Sequence, residues 1–218
     1  MSSIQKQIEG KISAMEASSI FSISDFTIFG KYDTIKKVLI RLEDSKKIIR
    51  IIDGIYMVPK YSKLTNELMP PSISEVANHI AEKYGWSIVP TGDACLNYLG
   101  LSTQMPAHYE YISDGPYRKY EVLGFTINFK HTTNKEVKNL SYKSAVIIQA
   151  LKSIGKENID QAVISKIRKN LSVEEREKLP LECSLTAVNI KLSLSLKVVQ
   201  ACQMDTVLLT DFQRRCIL

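Results

Sequence analysis

The chain has 218 residues, 29 of them Lys or Arg and 23 Asp or Glu, which gives a formal charge of +6. With 44% hydrophobic residues, 24% charged, 9 Gly and 7 Pro, the composition is that of a globular protein and excludes collagen, low-complexity sequence and long flexible linkers. The four cysteines (Cys95, Cys183, Cys202, Cys216) are scattered without a CxxC pair, so reduced thiols are expected rather than a disulfide scaffold or a structural zinc site.

Lys6, Glu9, Lys11 and Glu16 interrupt any apolar leader in the first sixteen residues. No apolar run approaches the roughly 20 residues of a membrane helix. A cytoplasmic protein without a membrane partner is expected. The charge is unevenly spread: residues 1–60 carry net +3, residues 61–140 net −1 and residues 141–218 net +4. Residues 31–60 alone hold eight basic against four acidic side chains. A solvated lysine-rich face explains such a cluster unless the fold presents it to a groove.

Ile4, Ile8, Ile12 and Met15 recur at helical spacing behind Ser2 and Ser3, which can cap the helix. The run from Ser22 to Asp25 has the form of a capping box and opens a short segment, 24–29, closed by Gly30. A longer helix is expected over 33–44. There Ile35, Val38, Leu39 and Leu42 form one apolar stripe, with Asp33, Lys37, Ile40 and Arg41 opposite. Two β-branched runs, 47–52 and 55–58, flank Asp53-Gly54, a two-residue hairpin signal, and Pro59 ends the second.

Helix, short helix, tight turn, longer helix and hairpin is the order of a winged helix-turn-helix. A helix with a single apolar stripe docks on its own domain and leaves the other face free for a major groove. Lys36, Lys37 and Arg41 lie on or beside that free face, with Tyr32 and Thr34 near the helix start. Lys46, Lys47 and Arg50 sit at the mouth of the hairpin, suited to backbone phosphates. These eight residues are the candidate DNA contacts, and Ile40 adds an apolar group suited to a thymine methyl or a dimer contact.

Residues 60–71 (KYSKLTNELMPP) form a connector. Beyond it, Ser72 or Ser74 caps a helix with Val76, Ile80 and Tyr84 inward, stopped by Gly85. A short strand, 86–89, leads through a turn at Pro90–Asp93 into a helix ending at Leu99, with Gly100 as its left-handed cap. Runs 109–113, 117–122 and 125–129 suggest a three-stranded meander.

The run VPTGDACLNYLGLSTQMPA from Val89 to Ala107, followed by GFTINF from Gly124 to Phe129, resembles the AbiEi-type antitoxin-like proteins. The segments VLIRL (Val38–Leu42) and IIRIIDGIYMVP (Ile48–Pro59) are similar to the winged part of that family, and the resemblance covers roughly residues 20–135. It implies a type IV toxin–antitoxin component: a DNA-binding autorepressor paired with a nucleotidyltransferase-like toxin encoded nearby. On the matching positions it places Lys36, Lys37, Arg41 and Arg50 toward DNA, and leaves Gly54 and Tyr56 as structural residues.

An active site is not expected. His79, His108 and His131 lack HxxxH or HxH spacing, and no phosphate-loop, dinucleotide or nucleophile-elbow motif occurs. Asp93 and Asp114 read as turn and cap residues. Glu136-Val137-Lys138 has the letters of a nuclease motif without a buried strand before it.

Helices are expected over 142–151, from Asn158 or Asp160 to Asn170, and from the capping box Ser172–Glu175 to Pro180. A period-2 pattern at 190–197 reads as a strand, and the apolar stretch 198–209 and Arg214-Arg215 find no place in the family pattern. The expected class is α+β: a winged helix-turn-helix over 1–60, a connector over 61–71, and an α+β antitoxin-like domain over 72–218 with a small antiparallel sheet and C-terminal helices, residues 190–218 being unassigned. No metal or cofactor is expected. The partner expected is double-stranded DNA of the chain's own promoter, bound at inverted repeats by a monomer or homodimer. A protein-interaction module that neutralises a partner directly is the alternative.

Overall fold

A computed structural model describes residues 3–104, 106, 108–132 and 140–186. Of Lys156, Pro180, Leu181 and residues 183–186 it describes the backbone alone. The fold is α+β, with a winged helix-turn-helix order at the N-terminus. Two compact units are present: Met1–Trp86 with Lys119–Ile127, and Ser87–Arg118 with Asn128–Leu218.

The first unit begins with α1 (Ile4–Ser13), whose N-cap Ser3 accepts a hydrogen bond from the Lys6 amide. A strand, β1 (Ile20–Ser22), follows, then a 3-10 helix (Ile23–Phe29), α2 (Tyr32–Asp44) and the hairpin of β2 (Ile49–Ile52) and β3 (Ile55–Met57). The Ser22–Asp25 capping box forms, the Ser22 amide donating to Asp25 Oδ2 at 2.6 Å. The sheet order is β1-β3-β2, so β3 is central and wholly buried. Gly54 takes φ +76° at the hairpin turn, as the Asp-Gly signal requires.

Strand β1 was not foreseen. Its three residues are all buried, so no polar–apolar alternation marks it, and it is recognisable only by its pairing, Phe21 opposite Tyr56. The register of β2 on β3 slips between Arg50 and Ile52, leaving a bulge at Ile51. One core joins Ile8 and Ile12 of α1, Phe21, Phe26, the stripe of α2 and Tyr56. Phe21 stacks on Tyr56 at 6.0 Å between ring centroids and meets the edge of Phe26 at 5.4 Å.

The connector is not a loose linker. Tyr61 pairs with Leu68 in a β-bridge, and Ser62 Oγ accepts from the amides of Leu64 and Thr65, closing a small loop. α3 (Ile73–Tyr84) is capped by Ser72 and stopped by Gly85 in the left-handed conformation. Val76 and Ile80 are buried as expected. Tyr84 is not: it is exposed and stacks on Trp86 at 4.8 Å.

The strand near Trp86 is displaced to β4 (Ile88–Thr91), so Pro90 lies in a strand rather than a turn. The second sheet has the order β4-β5-β7-β6, with β5 at His108–Ser113, β6 at Arg118–Val122 and β7 at Phe125–His131. Pro90 therefore sits on an edge strand, the place in a sheet where proline is tolerated. The order also corrects the expected meander. β7, with Thr126, Ile127 and Phe129 buried, takes the inner position, and β6, carrying Arg118, Lys119 and Glu121, takes the edge.

In the second unit α4 (Asp93–Tyr98) ends at Leu99 with Gly100 at φ +64°. The next helix, α5 (Tyr142–Ile154), is buried all round from Ser144 to Leu151 rather than on one face, because the unit is built about it. Asp160 caps α6 (Gln161–Lys169). Ile167 is fully buried, while Val163 and Ile164 are partly so. The Ser172–Glu175 capping box opens α7 (Val173–Thr186), which continues through Pro180 instead of ending there. A proline at that position leaves the carbonyl four residues back without its helical donor, and the helix tolerates this loss. The expected strand at 190–197, the stretch 198–209 and Arg214-Arg215 lie outside the described residues, as does Glu136–Lys138.

Candidate nucleic-acid interface

The candidate surface is built on α2. Ile35, Val38, Leu39 and Leu42 are at most 5% exposed and fix the helix rotation against α1 and the 3-10 helix. Burying such side chains stabilises the fold by about 1.5–3 kcal/mol each, so the opposite face is set by the core. On that face Thr34, Lys36, Lys37, Ile40 and Arg41 are all exposed, and so is Tyr32 in the first turn. Among the described residues, Lys36, Lys37 and Arg41 make no ion pair. Asp33, Glu43 and Asp44 share the helix, yet none is within salt-bridge reach of them.

The turn before α2 depends on close packing. A Cβ on Gly30 would meet Ile4 Cδ1 at 3.2 Å, so the glycine lets the 3-10 helix and α2 fold tightly against α1. Lys11 of α1 fastens the same corner: its Nζ donates to the Asp25 carbonyl at 2.6 Å and lies 5.1 Å from the Phe26 ring.

The three hairpin-side candidates are placed differently. Lys46 occupies the left-handed position after α2, with φ +59°. Its amide donates to the Glu43 carbonyl and that of Lys47 to the Leu42 carbonyl, a Schellman closure usually made with glycine. The ammonium of Lys47 pairs with Glu9 of α1 at 3.4 Å. Hydrogen bonding from Gln5, with help from Lys47, holds the Glu9 carboxyl below the usual carboxylate range. Arg50 pairs with Asp53 at the hairpin tip. Two of the three wing-side cations thus already have carboxylate partners.

Lys83 had no sequence signal. From α3 its Nζ donates to the Asp53 carbonyl at 2.7 Å and lies 5.2 Å from the Tyr84 ring, pinning the hairpin tip. Thirty residues separate the partners, so no local pattern could have pointed to it. Tyr56, expected to be structural, is 2% exposed, and burial raises its phenol pKa.

Elsewhere the residues weighed for chemistry have ordinary settings. Cys95 is buried, donates to the Gly92 carbonyl at 2.9 Å, and burial pushes its thiol up to about 11. His79 faces Glu82 at 3.6 Å, and His131, the last residue of β7, bonds the Gly115 carbonyl at 2.9 Å. Asp114 Oδ1 accepts from the Ser87 amide at 2.8 Å, and Asp93 opens α4. Among the described residues no group of three or more His, Cys, Asp or Glu is placed to hold a metal ion, and no helix is long and apolar enough to cross a membrane.

No curated protein matches the chain. Comparison with protein families matches residues 7–179, a span that takes in most of α1, the whole face of α2, the hairpin and most of the second unit. The match covers most of the sequence, and the chain belongs to the family of unknown function DUF6088.

Proposed function

We propose that this chain is a DNA-binding transcriptional regulator of its own operon, acting without catalysis in the cytoplasm as the antitoxin-like member of a type IV toxin–antitoxin pair. The carrying observation is the outward face of α2, where Lys36, Lys37 and Arg41 are exposed and, among the described residues, have no carboxylate partner, opposite a fully buried stripe. In this reading α2 enters a major groove, Lys37 and Arg41 meet phosphates or a guanine edge, and two copies read inverted half-sites one helical turn or a multiple apart. The role of antitoxin to a nucleotidyltransferase-like toxin rests on the sequence resemblance alone.

The test is a fluorescence-anisotropy titration of the full chain with a duplex from upstream of its own gene and with a scrambled duplex. Preferential binding, with log affinity falling against log salt by about 0.9 per phosphate neutralised, supports the reading. Equal and weak binding of both duplexes at low salt counts against it.

A second reading has its own observation. Ile28 is 84% exposed on the 3-10 helix, with Tyr32 at 53% and Ile40 at 40% on α2. Exposed apolar side chains on these two helices, together with the exposed cations of α2, equally suit a protein partner with an acidic rim. A stable complex with the neighbouring gene product, formed without DNA and lost in an Ile28→Asp variant, favours this reading.

A further inference from the structure

The first unit contains a groove of about 370 Å³ between α1, the C-terminal end of α2 and the chain leaving β3. That volume lies within the range of small-molecule sites. Its floor is apolar: Ile12, Met15, Leu42 and Val58 line it. Its polar groups are Glu9 and Ser13 from α1 and Lys46 and Lys47 from the segment after α2, of which Ser13 is uncharged. Lys47 is matched by Glu9 at 3.4 Å, whereas Lys46 makes no ion pair among the described residues. The groove therefore carries one uncompensated positive charge beside an apolar floor.

The position of Lys46 adds to this. The left-handed residue that closes a helix is usually glycine, and a lysine there carries a steric penalty. The side chain so placed lines the groove. An inorganic anion would make no use of the floor, and a neutral apolar molecule would leave Lys46 unanswered.

We propose that this groove binds a small amphiphilic anion, its carboxylate or sulfonate on Lys46 and its aliphatic or aromatic body on Ile12, Met15, Leu42 and Val58. Leu42 belongs to the helix that carries Lys37 and Arg41, and Val58 directly follows β3. An occupant would thus bear on the DNA-facing helix, a consequence that rests on the regulator reading. Binding itself does not.

The probe is 1-anilinonaphthalene-8-sulfonate, titrated by fluorescence into the full chain without DNA, then displaced by octanoate. One saturable site is expected, displaced by octanoate at least tenfold better than by 1-octanol and not by inorganic phosphate. The Lys46→Gln variant, which leaves the Lys47–Glu9 pair in place, should weaken binding at least fivefold with an unchanged circular dichroism spectrum. Met15→Trp, which fills the floor, should abolish binding while the lysines stay in place. Absence of a saturable site, equal displacement by octanol or phosphate, or undiminished binding by both folded variants would overturn the proposal. Because no DNA is present, the outcome is independent of whether the chain is a regulator.

Discussion

The outward face of α2 and the base of the hairpin each contribute three basic side chains, Lys36, Lys37 and Arg41 against Lys46, Lys47 and Arg50. Counted as charge, the two regions are equal. The structure separates them: the helix cations have no carboxylate partner among the described residues, while Lys47 is held by Glu9 and Arg50 by Asp53. The cause is topological. A helix that docks through one stripe turns its other face away from the rest of its unit, whereas the hairpin base lies beside α1, where Lys47 meets Glu9, and Arg50 meets Asp53 of its own turn. Positive charge in a sequence is an upper limit on the charge a surface offers to a partner.

Both regions stand on one core, so the largest effect should come from removing their shared support. Tyr56→Ala, which deletes the ring stacked on Phe21, is expected to cost about 3–5 kcal/mol in chemical denaturation of the first unit. A loss below 1 kcal/mol would mean that helix and hairpin are supported independently. Lys83→Met should cost about 0.5–1.5 kcal/mol by deleting the bond to the Asp53 carbonyl, with faster amide exchange at the hairpin. Unchanged exchange there would show that α3 does not hold the tip. Lys46→Gly should stabilise the chain by about 0.5–1 kcal/mol, since glycine relieves the strain of a positive φ.

Smaller effects concern the paired carboxylates. Glu9→Gln and Asp53→Asn free Lys47 and Arg50, and the double variant should bind the upstream duplex a few-fold more tightly, with a salt slope steeper by up to about 0.9 per cation released. Unaltered affinity would place the hairpin base away from DNA. The smallest effect is one of pH. The Glu9 pKa is lowered in the folded state, so its contribution is present above the ordinary carboxylate pKa of 4.5 and lost as pH falls through the lower folded value. Glu9→Gln should flatten that acid limb of the stability curve and leave the neutral region unchanged.

Much of the first unit was legible in advance because its signals are local. Four apolar residues at helical spacing, a Ser–Asp capping box and an Asp-Gly turn each act within a few residues, and the stripe, the box and the turn are all found. Pairing across distance was not legible. β1 is too short for a pattern, Glu9 meets Lys47 across 38 residues, and the order β5-β7-β6 depends on which strand is most apolar rather than on sequence adjacency. Helix ends marked by glycine were read correctly at Gly85 and Gly100. The end marked by Pro180 was not, since tertiary packing carries a helix through a proline that local preference would stop. At the candidate site the face of α2 could be drawn from the wheel alone, but the neutralisation of Lys47 by Glu9 required the fold.

The most direct measurement sets the two regions side by side on one duplex. Lys37→Ala/Arg41→Ala and Lys47→Ala/Arg50→Ala, both with wild-type thermal midpoints, are titrated with the upstream DNA at two salt concentrations. The helix pair should lose at least thirtyfold in affinity and reduce the salt slope by about 1.8, in line with about 1–3 kcal/mol for an arginine read against a base. The hairpin pair should stay within about threefold of wild type. Equal losses, or a larger loss for the hairpin pair, would contradict the assignment of α2 as the DNA-reading surface.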